Sequence, residues 1–448
     1  MDHSGDGVDI VSSMPHEILH HILSFIPTQF AIRTSALSKA WRHVWCHTPC
    51  LDFSNLSIYG ERSVRDINQT LSFYRAPKIM SLNLRMPRDM SEPQVNSWIE
   101  FAVCRNVEKL SLVFDCRINN QTYIFPDFFY LSSSLTELLI HNRSTVAGCT
   151  VFWKSLRKLT LWSCSLSEEY IENILSGSPV LETLKLSNCI GPQRLDLSKS
   201  RSLRRLVYRA GRGTFAIVAP HIHSLRFIIR RCETPCTLVD VSLLAEASIH
   251  ICFYVRPLNA DFLQTVVLNI LAKLQNAKRL TFTRTTLQIL SLAELHGVPF
   301  PTFKVETLTV KTTFIRSVIP GLARLLQNSP KIKKLIAHAT RLASIPALQE
   351  SDVNSYLRSQ GLNQEQCWGS KYEVFPTAIE FGGMIHCKDA MWKLIASFME
   401  VVMRNGKILE TLVVGLKYIV SDARWFEEWL QMIPTLPNNN NVSIVLKR

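Results

Sequence analysis

The residues closest to a known catalytic pattern lie near the start of the sequence, at His16-Glu17-Ile18-Leu19-His20. Two histidines four residues apart on a helix, with a glutamate between them, can bind zinc and activate a water molecule. Ile18 and Leu19, however, belong to an apolar stripe, and no third ligand follows at the spacing that a zinc protease needs. We therefore predict no metal site and no bound cofactor.

No other pattern in the sequence indicates an enzyme. The chain has no G-x-x-x-x-G-K-[ST] phosphate loop, no G-x-S-x-G nucleophile elbow and no G-x-G-x-x-G motif after a predicted strand. Its twelve cysteines are sparse over 448 residues and include no C-x-x-C pair. We predict a protein without catalytic residues of its own.

Composition favours a folded, basic, intracellular protein. Fifty Lys and Arg residues against 36 Asp and Glu residues give a net charge of +14, and 47% of the chain is hydrophobic, which excludes a disordered polymer. The sequence shows neither a secretory signal at its start nor an apolar stretch long enough to span a bilayer. We expect a location in the nucleus, the cytoplasm or both, with free thiols and no membrane partner.

The first fifty residues read as three short helices with a pronounced apolar side. Pro27 ends the first helix, the second covers residues 29–36, and the third begins near Ser38. The large apolar residues of the first and third helices are Ile18, Leu19, Ile22, Leu23, Ile26, Trp41, Val44 and Trp45. So short a segment cannot bury them all internally, which indicates either a docking surface or a cap packed on the domain that follows.

This segment resembles the F-box of plant F-box proteins. The segment agrees with the F-box pattern at most positions from Met14-Pro15-His16-Glu17-Ile18-Leu19 to Trp41-Arg42-His43-Val44-Trp45. It departs from the pattern at Met14, Gln29-Phe30 and Ala40. The resemblance implies binding to a Skp-type adaptor and, through it, to a cullin ubiquitin ligase. Carried over by position, the adaptor contacts are Met14, Pro15, Ile18, Leu19, Ile22, Leu23, Leu37, Trp41 and Trp45.

From residue 107 onward, a phrase of the form apolar-x-x-apolar-x-apolar recurs ten times. The first five spacings between its starts are 28, 21, 25, 22 and 19 residues, and a gap of 55 then predicts one degenerate repeat. These spacings are typical of leucine-rich repeats, which stack into a solenoid with a parallel inner sheet. Residues 168–175 and 322–327 read as helices of the outer side.

The C-terminal part reads as a strand over 375–381, a helix over 388–404 and a strand ending at 414. This order resembles the FBD-type region that follows the repeats of plant F-box proteins. We predict an α/β chain: a three-helix F-box, a leucine-rich-repeat solenoid and an FBD-like region. The predicted boundaries are 8–54 for the F-box, 55–106 for irregular first repeats or a linker, 107–340 for the repeats, 341–370 for a connecting loop and 371–448 for the FBD-like region.

Basic residues concentrate on one face of the predicted sheet. If phrase positions 1, 4 and 6 face the core, positions 3, 5 and 7 face outward and hold nine basic residues and one acid, Glu137. Lys109 and Lys334 belong to this set. The residues that we predict to bind a target are Lys158, Trp162, Lys185, Arg205, Arg209, Arg226, Arg279 and Lys311.

The resemblance to F-box proteins, together with the lack of catalytic motifs, implies a non-catalytic substrate-recognition subunit of a Skp–cullin–F-box ubiquitin ligase. The basic face suggests a target that is an acidic or phosphorylated protein. Two alternatives stay open at this point: a repeat scaffold with no ligase role, and a basic repeat protein that binds nucleic acid. The sequence shows no aromatic ladder for stacking bases, which disfavours the second alternative.

Overall fold

The computed structural model describes residues 14–55, 61–86, 90–114, 123–141, 150–209, 216–230, 237–252, 260–341, 348–420, 422–438 and 441–448. The first residues of the predicted F-box, 8–13, lie outside this set. The chain forms two compact units. The first comprises residues 1–192 and 199–203, and the second comprises residues 193–198 and 204–448.

The first unit begins with helices and continues as alternating strands and helices. Its helices are α1 (His16–Leu23), α2 (Thr28–Arg33), α3 (Glu61–Phe73), α4 (Glu92–Cys104), α5 (Asp127–Tyr130) and α6 (Glu168–Gly177), with 3-10 turns at Thr34–Ala36 and Ala40–His47. Its strands are β1 (Cys50–Phe53), β2 (Ser81–Met86), β3 (Lys109–Phe114), β4 (Glu137–His141), β5 (Lys158–Trp162) and β6 (Thr183–Ser187).

The six strands of the first unit form a parallel sheet in chain order. The phrase leucines set the register, since Leu110 pairs with Leu82 on one side and with Leu138 on the other. The alternate side chains of each strand, such as Leu82 and Leu84, are buried, as one covered sheet face requires. Strand β2 lies within residues 55–106, where we predicted irregular first repeats or a linker, and β1 lies within the segment that we predicted as the F-box, so strands of this sheet precede the first phrase at residue 107.

The second unit holds the remaining elements. Its strands are β7 (Arg194–Asp196), β8 (Arg205–Arg209), β9 (Ala216–Val218), β10 (Ser224–Arg230), β11 (Thr237–Asp240), β12 (Glu246–Cys252), β13 (Arg279–Thr283), β14 (Thr307–Thr312), β15 (Lys334–Ala339), β16 (Thr411–Gly415) and β17 (Ser443–Lys447). Its helices are α7 (Ala260–Lys273), α8 (Arg284–Leu295), α9 (Ile319–Gln327), α10 (Glu350–Ser359), α11 (Ser370–Tyr372), α12 (Ala378–Met384), α13 (Lys388–Asn405) and α14 (Ala423–Met432). Shorter turns lie at Arg316–Val318, Glu365–Gly369 and Ile433–Thr435.

Eight parallel strands form the main sheet of the second unit, in the order β8, β10 and β12 to β17. Strand β12 is the degenerate repeat that the 55-residue gap predicted. Its Ala247 takes the place of a phrase leucine between Leu225 and Leu280. A smaller parallel sheet contains β7, β9 and β11. Strands β16 and β17 extend the same ladder, so the C-terminal region continues the array.

Helices α8 and α9 pack closely because Gly321 has no side chain. A Cβ atom at Gly321 would stand 2.2 Å from the carbonyl oxygen of Leu287. The Gly321 amide instead donates to the Ser291 hydroxyl at 2.8 Å. This contact holds α8 and α9 close together.

The predicted connecting loop is largely helical, because α10 lies within residues 341–370. The buried Arg316 side chain ties this segment to the repeats: its Nε donates to the Phe375 carbonyl oxygen at 2.9 Å, and its guanidinium pairs with Glu365. The predicted strand at 375–381 is also wrong. Thr377 and Glu380 form a capping box that begins α12, and such a box specifies a helix start.

Candidate protein-interaction surfaces

The N-terminal module fills its own interior. The buried side chains of this cluster are Leu19, Leu23, Ala31, Trp41, Val44, Trp45 and Cys46, and all of them come from the three helical segments of the module. Met14, Ile26 and Ile32 pack against the cluster from its edge. The two tryptophans therefore hold the short helices together, which explains how so small a unit keeps a defined shape.

The same module is fixed to the first repeat of its unit by hydrogen bonds. The Asp52 amide on β1 donates to the Thr28 hydroxyl of α2 at 2.7 Å. The Cys46 carbonyl oxygen accepts from the amides of Arg75 and Ala76 at 2.9 and 3.2 Å. A partner bound to the module is thus held in a fixed position relative to the first strands.

The predicted adaptor contacts divide into a buried and an exposed set. Leu19, Leu23, Trp41 and Trp45 are covered by their own module, so in this conformation they are core residues and not surface anchors. Met14 is half-buried at the edge of that core and Pro15 is exposed. The large residues that remain available to a partner are Ile18 at 48% exposure, Ile22 at 44% and Leu37 at 69%.

Helix α1 carries the exposed set as a stripe beside the buried one. Ile18 and Ile22 are four residues apart and therefore lie on one side of the helix, one position away from the buried Leu19 and Leu23. Phe25 continues the stripe three residues beyond Ile22 and is 74% exposed. We define Pro15, Ile18, Ile22 and Phe25 as the α1 stripe.

Two exposed phenylalanines escaped the sequence analysis. Phe25 packs its ring edge-on against His21 at a centroid distance of 4.8 Å. Phe30 on α2 is exposed, with the Arg33 guanidinium 5.4 Å from its ring centre. For Phe25, the sequence signal is its position three residues after Ile22, which continues the apolar stripe. For Phe30 the sequence gives only its departure from the family pattern as a signal.

The histidines of the zinc-like motif lie near each other and near His47. The ring centres of His16 and His20 are 6.1 Å apart, and so are those of His20 and His47. Partial burial, helped by His47 and His16, lowers the pKa of His20. Among the residues that the structure describes, no group of three His, Cys, Asp or Glu side chains is arranged to hold a metal ion.

The strand face opposite the core is the second candidate surface. We call it the open face and define it by phrase positions 3, 5 and 7 of each strand. In the first unit the charges of the open face are largely paired. The Glu137 carboxylate oxygens lie 3.1 Å from the Lys109 Nζ and 2.6 Å from the Lys158 Nζ. The same two lysines hold the pKa of Glu137 below its usual value.

An aromatic pair lies beside this charged cluster on the first unit. His141 and Trp162 stack with ring centres 5.0 Å apart on adjacent strands, and Trp162 is 40% exposed. Lys185 lies on the next strand, in register with Thr160. Trp162 and Lys185 therefore lie diagonally across adjacent strands of the open face, with Ser187 as the register partner of Trp162.

In the second unit, strand β12 changes the charge pattern that the sequence predicted. It places Glu246 in register with Arg279, and the two side chains form an ion pair at 3.0 Å. Arg279 is therefore neutralised by a residue that the sequence analysis missed. Strand β12 also adds a histidine to the face, His250, whose Nε2 lies 2.8 Å from the Ser248 hydroxyl.

The remaining basic residues of the second unit lie where they were predicted. Arg205 and Arg226 are exposed on β8 and β10, while Arg209 and Lys311 are half-buried on β8 and β14. The sequence did not single out His338 and Lys447, which occupy the same phrase position as Lys311 on β15 and β17. Burial and the nearby Lys311 and Lys447 lower the pKa of His338.

Charges just outside the open face are balanced between neighbouring repeats. At phrase position 2, Arg157 pairs with Glu182 at 2.5 Å and Lys333 pairs with Glu410 at 3.3 Å. The open face of the second unit lacks such a series of matched carboxylates, since Glu246 is the only acid that its described strands carry at positions 3, 5 and 7. Its positive charge is therefore a local feature of this face.

None of the helices in the described ranges combines the length and the apolar character that crossing a membrane requires.

Two family profiles match parts of the chain. A profile of the F-box domain matches residues 11–52, and a profile of the LRR repeats of FBD-associated F-box protein At5g56370 matches residues 95–292. F-box domains typically bind Skp1-type adaptors.

Similarity to whole proteins extends over nearly all of the chain. The putative F-box/LRR-repeat protein At3g28410 of Arabidopsis thaliana is 52% identical over 460 residues, which cover 99% of this chain and 94% of that protein. The Arabidopsis F-box/LRR-repeat protein At5g02910 is 49% identical over 451 residues, which cover 99% and 96%. The chain therefore belongs to the plant F-box/LRR-repeat family.

Proposed function

We propose that this protein is the substrate-recognition subunit of a Skp–cullin–F-box ubiquitin ligase. The F-box module docks on a Skp-type adaptor, and the repeats select a target protein for ubiquitination. One observation carries the proposal: the module has a filled core and still exposes Ile18, Ile22 and Leu37. Large apolar side chains on a folded module favour association with another protein.

Such a subunit contributes to ubiquitination without performing chemistry. A target held on the repeats stays near the ubiquitin-carrying partner. Binding alone therefore raises the effective concentration of the target's lysines at that partner. The hydrogen bonds that Cys46 and Thr28 accept from Arg75, Ala76 and Asp52 support this role, because they fix the docking module relative to the strands that follow it. The proposed location is the nucleus, the cytoplasm or both, where such ligases meet their targets.

Affinity purification from plant cells tests the proposal as a whole. The tagged full-length chain is isolated with the proteasome blocked, beside the I18A/I22A variant and the control I379A, which changes an equally apolar residue that is 89% exposed on α12. We expect adaptor, cullin and a ubiquitinated target with the wild type and with I379A. Loss of adaptor and cullin from the I18A/I22A sample supports the proposal.

Two results would refute it. If the wild-type chain retains its target but never carries adaptor or cullin, the protein is a scaffold without a ligase role. If adaptor recovery is equal for all three chains, the α1 stripe is not the docking surface.

A further inference from the structure

The last strand of the second unit's main sheet has an open edge. In the described part of the chain, β17 pairs with β16 and with no other strand. The Ser443 amide donates to the Glu410 carbonyl oxygen at 2.9 Å, so the backbone groups of Ser443 face β16. Successive residues of a strand direct their backbone groups to opposite sides. The backbone groups of Ile444 and Leu446 therefore point to the open edge.

A side chain already occupies the first position of this edge. The Asn438 Nδ2 donates to the Val442 carbonyl oxygen at 2.7 Å, and the Val442 amide donates to the Asn438 Oδ1 at 2.9 Å. A neighbouring strand would make the same pair of hydrogen bonds with Val442. Among the described residues of β17, the open edge thus consists of the amides and carbonyl oxygens of Ile444 and Leu446.

The open face becomes apolar as it approaches this edge. On strands β12 to β14, the residues at phrase position 5 are polar, namely Ser248, Thr281 and Thr309. The register continues them on β15 to β17 as Ile336, Val413 and Val445, which we call the apolar row. Val445 ends this row and is 38% exposed. The row therefore leads to the open edge and stops there with an uncovered valine.

The helical layer is also apolar on this side. Glu428 of α14 pairs with Lys388 of α13, so this side of α14 faces α13. Leu430 follows Glu428 by two residues, which is about 200° round the helix, and it is 37% exposed. Phe426, one turn before Leu430, is half-buried. Sheet and helix thus both present apolar groups on the side where a further repeat would stack.

We propose that a second copy of this chain binds at this edge, with the two β17 strands antiparallel across a twofold axis at Val445. The inference goes beyond the proposed function and does not depend on it. An unpaired strand edge is a template for pairing with another chain. A twofold interface brings the same patch of both chains together, so the patch must be complementary to itself.

The backbone groups of the edge are self-complementary in one register. Ile444 of one copy faces Leu446 of the other, and each of these pairs exchanges both of its hydrogen bonds. All the open groups of both copies are then satisfied. A slide toward the start of the strand would set Leu446 against Val442, whose groups Asn438 already occupies.

The side chains fit the same register. Val445 faces its own counterpart in a non-hydrogen-bonded pair, where the Cα atoms are about 4.5 Å apart, and the apolar rows of the two copies become continuous. Lys447 faces Ser443 of the other copy, so no two lysines stand opposite each other. The two Lys447 residues lie four positions apart along the strands, which is about 13 Å.

Pairing gives one assembly two F-box modules and two sets of repeats. A target that carries two recognition segments binds the second one intramolecularly, which raises its overall affinity without any new contact. The interface uses no residue of the α1 stripe, so dimerisation and adaptor binding can be measured independently.

Charge substitutions at Val445 test the proposal in the full-length protein. V445K and V445E each place two like charges opposite each other at the axis, whereas an equimolar mixture of the two places a lysine opposite a glutamate. The matched control is V239K, because Val239 is 40% exposed on β11 of the smaller sheet and undergoes the same change. Sedimentation velocity measures the mass of each sample as a function of concentration.

We expect the wild type and V239K to dimerise with dissociation constants that agree within about threefold. V445K alone and V445E alone should each weaken dimerisation at least about tenfold, and the mixture should return to within about threefold of the wild type. V445C should form an intermolecular disulfide with oxidised glutathione, because the predicted Cα distance suits one, and V239C should not.

Three results would overturn the inference. One is a wild type that stays monomeric at every concentration, and another is dimerisation of V445K with the dissociation constant of the wild type. The third is a mixture of V445K and V445E that stays monomeric, because pairing at Val445 must bring the two opposite charges together. If a monomeric wild type captures a fluorescein-labelled peptide of residues 442–448, the edge accepts a foreign strand and not a second copy.

Thermal melts of the variants verify that they are folded. Adaptor binding of the wild type and of V445K is measured in parallel. A monomeric wild type that binds the adaptor refutes this inference alone, whereas a dimeric wild type that does not bind the adaptor refutes the proposed function alone.

Discussion

Two neighbouring residues of helix α1 should respond to the same substitution in opposite ways. Leu19 is buried in the module core, while Ile18, one position earlier, is about half exposed on the α1 stripe. We predict that L19A unfolds or loosens the module and that I18A, combined with I22A, leaves the fold intact and weakens adaptor binding. The pair therefore separates a structural role from a contact role within one helix.

The magnitudes follow from burial. Removing a fully buried leucine side chain costs about 2–5 kcal/mol of folding free energy. Complete burial of an isoleucine side chain is worth about 1.5–3 kcal/mol. Ile18 and Ile22 are 48% and 44% exposed, so covering what remains stabilises a complex by about 1 kcal/mol each. The double variant should lose about 2 kcal/mol of binding free energy, which is roughly a 30-fold rise in Kd.

The assay is titration calorimetry of each purified chain with a Skp-type adaptor, beside thermal melts of the chains alone. I379A serves as the control, because it truncates an exposed isoleucine outside the module. The reasoning fails if I18A/I22A binds the adaptor as well as I379A does. It also fails if L19A melts like the wild type, because Leu19 would then not be a core residue.

Two further outcomes concern stability. The pKa of His250, ordinarily 6.5, lies at about 4 in the folded protein, so the unfolded chain binds the extra proton first and stability falls as pH drops below 6.5. Between pH 7 and pH 5 this group should cost about 2 kcal/mol, and H250Q should show a correspondingly flatter pH dependence in urea titrations. G321A should cost about 1–3 kcal/mol or more, because its Cβ atom would meet the backbone of α8, and equal melting of G321A and wild type would contradict that contact. The matched variant G383A in α12, where a Cβ atom meets nothing within 4 Å, should be neutral or stabilising by up to about 1 kcal/mol.

The sequence identified the apolar side of the N-terminal helices but not its division into core and surface. Helical spacing groups Ile18, Leu19, Ile22 and Leu23 together, because adjacent stripes of a helix are only one residue apart. Which stripe the module covers depends on how Trp41 and Trp45 fold back on α1, and that is a tertiary arrangement. Family resemblance could not separate the two roles either.

The repeats were predictable because each phrase is a local signal. Strands β3 to β6, β8, β10 and β13 to β16 follow the leucine pattern, and even the degenerate repeat was anticipated from the gap that it leaves. Its exact residues were not, since Ala247 replaces the expected leucine. This omission hid Glu246 and His250, and with Glu246 the ion pair that neutralises Arg279.

Capping chemistry explains the clearest error in the C-terminal region. Alternating apolar residues between Phe375 and Phe381 favour a strand, but the reciprocal hydrogen bonds of Thr377 and Glu380 begin a helix there. The capping box decides the structure here because it provides hydrogen-bond partners for backbone amides, which an unpaired strand would leave without partners. By contrast, the long apolar stripe of α13 predicted that helix to within one residue of its end.

Hydrogen–deuterium exchange of the full-length chain with and without a Skp-type adaptor tests the central claim most directly. Our account predicts slower amide exchange over residues 15–25 and around Leu37 when the adaptor is present, with the strands of both units unchanged. Stoichiometric binding without added protection in the N-terminal module, or protection confined to the repeats, would contradict it.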